Sequence, residues 1–591
     1  MILQALYEYY QRKAADPQSK IASEGLEWKE IPFIIVIDEN GKFINLEDTR
    51  SIVGKNKRAN SFLVIKTKGR SGPNSYKTSN AFWDHYGFVL AYPKDEREKS
   101  KSDANKQHKS FSLLVNQFVE KYPNNIQFNA VKEFLNNPEQ IQMVFAHEYW
   151  KDCSKIPGCN LSFRFVGERS IVAENKDLDV LEGTEKPLID QEGNAGDIAI
   201  TQGICLITGE YSPIAVLHTA TSLPGGKSGG KLVGFQRNSG YDSYYKQQGL
   251  NAPVSRKAEA AYTTALNVLL RNNSNNKFRL SDASIVFWAE KTSDFESKFP
   301  FFFAAPPKDD PDRNIREVKA LFDSVYSGKA NNEGDTSFYI LGLAPNAARI
   351  SVRLWKTGKI RDFTNKIVLH YNDLEIVRGK NDDREYYSLY NLLSNIAFEN
   401  KLDNIPPNLS VKVIESVLDG TVYPVTLQQQ CLRRIRADVG EKTHVTRIRA
   451  AILKSYLNRK NRFFNTNEKQ ITMALDTENS NQAYLCGRLF AILEKIQEEA
   501  QGTANIRDRF YGAACSTPVT VFGRLLSLSN HHLAKLHPGR KTNFEKLIQE
   551  VMANIISNGM PAHLSLDDQS RFAIGYYHQR QDLFTKKENN N

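Results

Sequence analysis

The sequence predicts an α+β N-terminal portion followed by a mainly α-helical C-terminal bundle. Short apolar runs of strand length recur up to residue 355, and helical segments interrupt them without a regular strand-helix-strand repeat. From about residue 356 onward, long helical periodicities replace them. The implied division is an α+β region over 1–355, a helical region with a basic patch over 356–470, and a C-terminal helical bundle over 471–591.

The opening MILQALYEYYQRK reads as an amphipathic helix through Leu3, Leu6, Tyr7 and Tyr10, with no basic stretch ahead of its apolar residues. Ile31–Ile37 and Phe43–Leu46 flank Asp38-Glu39-Asn40-Gly41, a hairpin signal, and Phe62–Lys66 reads as a third strand. A turn-rich loop over 68–77 follows, then Trp83, Tyr86 and Phe88, which read as core. Phe111–Lys121 and Ala130–Asn136 read as helices, and Leu161–Val166 and Ile198–Thr208 as strands. Further strands are expected at Ser284–Ala289, Phe338–Leu343 and Arg349–Trp355, with Phe299–Arg313 as a connection. In the second half, apolar stripes mark bundle helices: Val445, Ile448, Ile452 and Tyr456 behind a Thr443 cap; Leu485, Leu489, Ile492 and Ile496; and Phe544, Leu547, Ile548, Val551 and Ile555. Thr517-Pro518 starts a helix, and Ser565 with Asp568 forms a capping box for the last one.

No apolar run approaches the ~18 residues of a membrane span, which points to a cytoplasmic protein without a membrane partner. The six cysteines form no C-x-x-C pair and read as reduced, buried thiols; His147, Cys153 and Cys159 match no common metal spacing, and no cofactor is expected.

Residues 223–270 are the most distinctive stretch. Gly225, Gly226, Gly229 and Gly230 with Lys227, Ser228 and Lys231 form a glycine-lysine loop suited to a phosphate backbone, and no acid lies between residues 211 and 241. Gln236, Arg237, Asn238 and several tyrosines follow, then a helix capped by Ser255 with Ala258, Ala261, Tyr262, Ala265 and Leu269 on its inner side. Gly225–Lys231 has the spacing of a nucleotide-binding P-loop, but Leu232 stands where a magnesium-binding hydroxyl belongs. Gly226–Gly230 fits G-x-S-x-G, yet a proline-interrupted polar segment precedes it and Lys231–Phe235, which reads as a strand, follows it. Neither motif supports an enzyme.

The formal net charge is +11, and it is concentrated. Residues 55–110 carry thirteen Lys and Arg against five Asp and Glu, and residues 431–470 carry eleven against three. Two basic patches on an otherwise slightly acidic chain are the footprint of a polyanion binder.

Several segments together carry a resemblance in a fixed order: MILQALYEYYQR, SGPNSYKTSNAFWDHYGFVLAYPKD (71–95), GGKLVGFQ through AYTTALN (229–267), ASIVFWAEK (283–291), FYILGLAPNAARISVRLW (338–355) and PAHLSLDDQSRFAIGYYHQRQDLFTKK (561–587). In this the chain resembles the large subunit of the type I-C CRISPR interference complex, Cascade. The resemblance implies a non-catalytic subunit of an RNA-guided complex whose N-terminal part reads the protospacer-adjacent motif (PAM) on duplex DNA. It implies that the C-terminal helices line the path of the displaced strand during R-loop formation, and that guide RNA, Cascade backbone subunits and a recruited helicase-nuclease are partners. It also implies a small subunit made from an internal start. Met473 is the expected start, because Met552 and Met560 leave fragments too short for a good core.

Within that frame the expected PAM or adjacent backbone contacts are Arg70, Asn74, Ser75 and Lys77. The loop Gly226, Lys227, Ser228, Gly229 and Lys231 is expected to grip the duplex, and Gln236 and Asn238 to wedge open the first base pair. Arg447, Arg449, Lys454, Arg459 and Lys460 are the expected single-strand contacts. The competing readings are an RNA-binding scaffold that reads no DNA sequence and a nucleotide-dependent nucleic-acid enzyme.

Overall fold

The computed structural model describes residues 1–16, 19, 21–23, 25–53, 56–66, 70, 74–178, 201–226, 230–236, 246, 248–271, 274–326, 333–347, 349–379, 382, 384–438, 445–555 and 559–584. They fall into two units, Leu3–Ala220 with Val233–Val268, and Thr221–Leu232 with Leu269–Asn591.

In the first unit, helix α1 (Ile2–Ala14) precedes strands β1 (Leu26–Glu30), β2 (Phe33–Ile37), β3 (Phe43–Asp48), β4 (Ser51–Val53), β5 (Asn56–Arg58) and β6 (Ser61–Ile65). The hairpin read from Asp38–Gly41 joins β2 to β3: the Asp38 carboxylate accepts the amides of Asn40 and Lys42 at 3.0 and 2.8 Å, and Gly41 has φ +74°. Then come β7 (Trp83–His85), helices α2 (Tyr86–Leu90), α3 (Glu98–Lys121), α4 (Ile126–Asn136), α5 (Pro138–Ala146) and α6 (Trp150–Ser154), β8 (Asn160–Phe165), the short hairpin β9 (Gln202–Ile204) and β10 (Tyr211–Pro213), and α7 (Arg256–Leu270). The main sheet has the order β3-β2-β8-β7, parallel only between β2 and β8. All five residues of β2 are buried, with Phe111 of α3 and Phe134 of α4 against Phe163 of β8. Trp83, Tyr86 and Phe88 lie in this core, as their pattern predicts. Of the strand expected over 198–208 only β9 forms, and residues 198–200 lie outside the described residues.

The second unit holds β11 (Lys277–Leu280), β12 (Ala283–Ala289), α8 (Asp294–Phe303), α9 (Arg313–Tyr326), β13 (Ser337–Asn346) and β14 (Arg349–Lys359), the four strands forming one antiparallel sheet in chain order. Part of the expected connection 299–313 is helix. Ser293 caps α8 by accepting the Phe295 amide, and burial of Phe295, Phe299, Phe302 and Phe303 against the sheet outweighs the cost of Pro300.

Helices α10 (Ile360–Leu374), α11 (Leu389–Ile396), α12 (Leu409–Asp419), α13 (Val425–Ala437), α14 (Arg447–Phe464), α15 (Gln482–Gln501), α16 (Ile506–Ala514), α17 (Phe522–Leu533), α18 (Pro538–Ala553) and α19 (Leu566–Phe584) follow. The expected stripes lie in α14, α15 and α18, except that Val445 stands two residues before α14 and Ile555 two residues after α18. The cap of α14 is Thr446, which accepts the Arg449 amide; Thr443 lies outside the described residues. Thr517-Pro518 opens a single 3-10 turn ahead of α17, and Ser565 caps α19 by accepting the Asp568 amide at 3.2 Å. Among the described residues no helix is long and apolar enough to cross a membrane, and all six cysteines are buried and unbridged.

Two buried histidines give the second unit a pH dependence. His370 Nδ1 meets the Tyr423 hydroxyl at 2.5 Å, and His578 Nδ1 meets Tyr484 at 3.0 Å. Burial, reinforced by nearby Arg459 and Lys454 respectively, pushes both imidazoles down to about 3. Between that value and the ordinary ~6.5 the unfolded chain binds the extra protons, so stability is present above ~6.5 and falls as pH drops, by about 1.4 kcal/mol per pH unit for each histidine. Unfolding free energies from urea titrations are expected to hold from pH 7.5 to about 6.5 and to fall with this slope toward pH 5, and His578→Gln to remove about one proton's share. A flat wild-type profile would contradict the assignment.

Candidate nucleic-acid interface

The first basic patch is built on α3. Asn74 opens a one-turn 3-10 helix, Ser75–Lys77, closed by the Lys77 amide donating to the Asn74 carbonyl at 3.0 Å. That turn sits on α3: Ser110 Oγ donates to the Lys77 carbonyl at 3.0 Å, and the Lys106 ammonium lies 5.6 Å from the centre of the Tyr76 ring. Asn74 and Lys77 are exposed, Ser75 is half-buried, and Lys106 and Lys109 are exposed on the neighbouring turn of α3. An amide, a hydroxyl and three ammonium groups therefore share one surface.

Arg70 does not join them. Its guanidinium forks the Asp84 carboxylate, with Nη1 to Oδ1 at 2.8 Å, and lies 4.2 Å over the Phe88 ring. Asp84 is buried and also accepts the amides of Asn80 and His85, so it requires a cation. Arg70, expected to contact DNA, is thus an internal anchor on Asp84. His85 supports the same corner: its Nδ1 accepts the Gly87 amide at 3.1 Å, and burial holds its pKa below the usual histidine value.

In the glycine loop the Thr221 amide donates to the Gly230 carbonyl at 2.7 Å, which brings the loop's ends together, and Gly225 takes φ +78°. Gly226 is exposed and Lys231 half-buried, while Lys227, Ser228 and Gly229 lie outside the described residues. Gln236 is exposed, and Asn238 is outside the described residues. Among the described residues Lys231–Phe235 pairs with no strand, contrary to the expectation.

The second patch is corrected more deeply, because α14 is a core helix. Arg449 is buried and paired with Asp438 at 2.5 Å, and Arg459, 1% exposed, pairs with Asp373 at 3.2 Å. Lys454 is buried and donates to the Asp373 carbonyl at 3.0 Å, with burial lowering its pKa. Arg447 reaches Asp382 at 3.2 Å beside the Tyr387 ring, and half-buried Lys460 holds Asp567 at 2.6 Å. None of the five presents an uncompensated cation to solvent.

The surface charge lies one helix earlier. Arg433 and Arg436 are exposed on α13, and with Gln429, Leu432, Ala437 and Leu566 they line a notch of about 330 Å³. Arg436 donates to the Gln569 amide oxygen, while Arg433 has no partner among the described residues. Gln429, Arg433 and Arg436 stand at helical spacing on the outer face of α13, a signal present in the sequence but outweighed there by the denser charge of α14. Beyond Arg462, α14 ends in the exposed pair Phe463 and Phe464.

Among the described residues no cluster of three or more His, Cys, Asp or Glu could hold a metal. No curated protein matches the sequence. A family model described as CRISPR-associated protein (Cas_Csd1) matches residues 6–584, and the chain belongs to that family.

Proposed function

We propose that the chain is the non-catalytic large subunit of a type I-C Cascade complex, reading the PAM through the first unit and holding the displaced strand with the second. What supports this reading most is the Asn74–Lys77 turn seated on the lysine-bearing face of α3, in a chain of a CRISPR-associated family. Guide RNA pairing would supply most of the sequence specificity, and the turn need discriminate only a few base pairs. Asn74 and Ser75 offer hydrogen-bonding groups for base edges; Lys77, Lys106 and Lys109 neutralise phosphates. Gly226, Lys231 and Gln236 are assigned to the duplex backbone and the first opened pair.

For the displaced strand, Arg433 and Arg436 of α13 take the place of the α14 cations, with Phe463 and Phe464 at the end of α14 as stacking faces. Partners are the guide RNA, the Cascade backbone subunits, the recruited helicase-nuclease and a small subunit begun at Met473. That start falls in the segment between α14 and α15, so the internal product would carry both α15 and α19, the packed pair of the bundle.

The test uses the assembled complex and duplexes differing only in the flanking sequence. Asn74→Ala is expected to lower affinity for the preferred flank by roughly 1–3 kcal/mol and leave disfavoured flanks unchanged. Arg433→Ala with Arg436→Ala is expected to weaken all targets evenly and reduce the salt slope by about 1 per lost phosphate contact. An unchanged salt slope in the arginine variant would remove α13 from the interface.

A further inference from the structure

The two loops singled out from the sequence both begin on α7. The loop carrying Asn74–Lys77 begins after Lys66, whose ammonium lies 3.6 Å from Glu259 Oε2 and donates to Thr263 Oγ1 at 3.3 Å. The glycine loop begins after Ala220, and just before it the Thr219 amide donates to Glu259 Oε1 at 2.6 Å. On either side, the His218 ring meets the Tyr262 hydroxyl, and Asn267 Nδ2 donates to the Ala220 carbonyl at 3.1 Å. Glu259, Tyr262, Thr263 and Asn267 all stand on α7, and the first three are buried. One carboxylate, 7% exposed, thus takes its two oxygens' partners from the starts of two different loops.

A buried carboxylate is an expensive way to hold a fold together. Apolar residues of similar volume would pack there at least as well, and a buried ion pair is weak support for stability. What a carboxylate adds is direction: it fixes a particular ammonium and a particular amide relative to one another. Thr219 is in a loop, and Lys66 stands one residue past β6, where its amide donates to the Gly25 carbonyl at 2.8 Å as the last link before the loop.

We infer that Glu259 is a positioning residue that fixes where both DNA-facing loops begin, at Lys66 and at Thr219, coupling flank reading to backbone grip through one buried carboxylate. This rests on the PAM-reading role proposed above. Glu259 itself touches no DNA, and Lys66, counted in the first basic patch, acts here on protein.

The experiment measures backbone hydrogen exchange of residues 61–66 and 218–220 in the assembled complex, together with binding to the flanking-sequence library. Glu259→Ala is expected to speed exchange in both segments and to shrink the ratio of best to worst flank by about five-fold or more, the scale of coupled sites. Glu259→Gln, which keeps an oxygen for the Thr219 amide, is expected to restore slow exchange at 218–220 but not at 61–66. Lys66→Met, unlike Glu259→Gln, leaves a buried carboxylate charge without its counter-ion, so Glu259 is expected to shift toward water and faster exchange at 218–220 to follow. Exchange that changes in one segment only for Glu259→Ala, or stays at 61–66 for Lys66→Met, overturns the inference. If the exchange pattern holds but the wild type shows no flank preference, the tether stands and the PAM-reading role falls.

Discussion

Gly487→Val is expected to unfold the C-terminal bundle outright. Gly487 on α15 and Gly575 on α19 mark the place where the two helix backbones meet. A Cβ on Gly487 would overlap the Phe572 carbonyl oxygen and sit 2.9 Å from both the Phe572 carbonyl carbon and the Tyr576 amide nitrogen. A Cβ on Gly575 would overlap the Tyr484 oxygen and lie 3.0 Å from its carbonyl carbon. The obstacle is backbone, which cannot rotate away as a side chain does. Overpacking a core costs about 1–3 kcal/mol when neighbours can shift, and more when they cannot. Gly487→Val or Gly575→Val is therefore expected to remove the bundle's cooperative thermal transition. Gly512 on α16 is the control, since a Cβ there meets nothing within 4 Å. Gly512→Ala is expected to be stabilising by up to about 1 kcal/mol through helix propensity alone. Equal tolerance of alanine and valine at 487 and 512 would mean that α15 and α19 do not approach as described.

The second large effect is expected at Asp373. Its carboxylate takes Arg459 at 3.2 Å and Arg462 at 2.7 Å, while Arg459 also donates to the carbonyls of Ser416 and Thr421 and lies 4.5 Å from the Tyr423 ring centre. Asp373→Ala leaves a buried guanidinium without its counter-charge, which typically costs about 3–5 kcal/mol. The exposed pair Arg540–Glu499, at 2.7 Å, is the comparison, and Glu499→Ala is expected to cost about 1 kcal/mol or less. Chemical denaturation of the two variants measures both. The contrast bears on function, because Arg459→Ala is expected to reduce DNA binding only in proportion to unfolded protein. A reduced salt slope in well-folded Arg459→Ala would return the α14 cations to the interface.

These residues show where the sequence was readable. The Asp38–Gly41 hairpin, the Ser565 cap and the apolar stripes of α14, α15 and α18 depend on neighbours a few positions away, and all are present. Charge was harder to read, since a sequence count of lysines and arginines does not distinguish a solvated cation from one drawn inside by a distant acid. Asp373 precedes Arg459 by 86 positions, and Asp84 follows Arg70 by 14. Nothing local announces either pairing. Arg433 and Arg436 carry the opposite signal, lying on the outer stripe of a helix whose buried residues include Leu432 and Ile435. The role of Glu259 was hidden for the same reason: the sequence places it near neither Lys66 nor Thr219, and only the packing of α7 brings the three together.

The most direct measurement is binding of the assembled wild-type complex to a duplex library in which only the flanking base pairs vary, repeated with Asn74→Ala. The account predicts a clear preference among flanks in the wild type and its loss in the variant, with affinity for disfavoured flanks retained. Equal wild-type binding to every flank would contradict it and favour a scaffold that reads no DNA sequence.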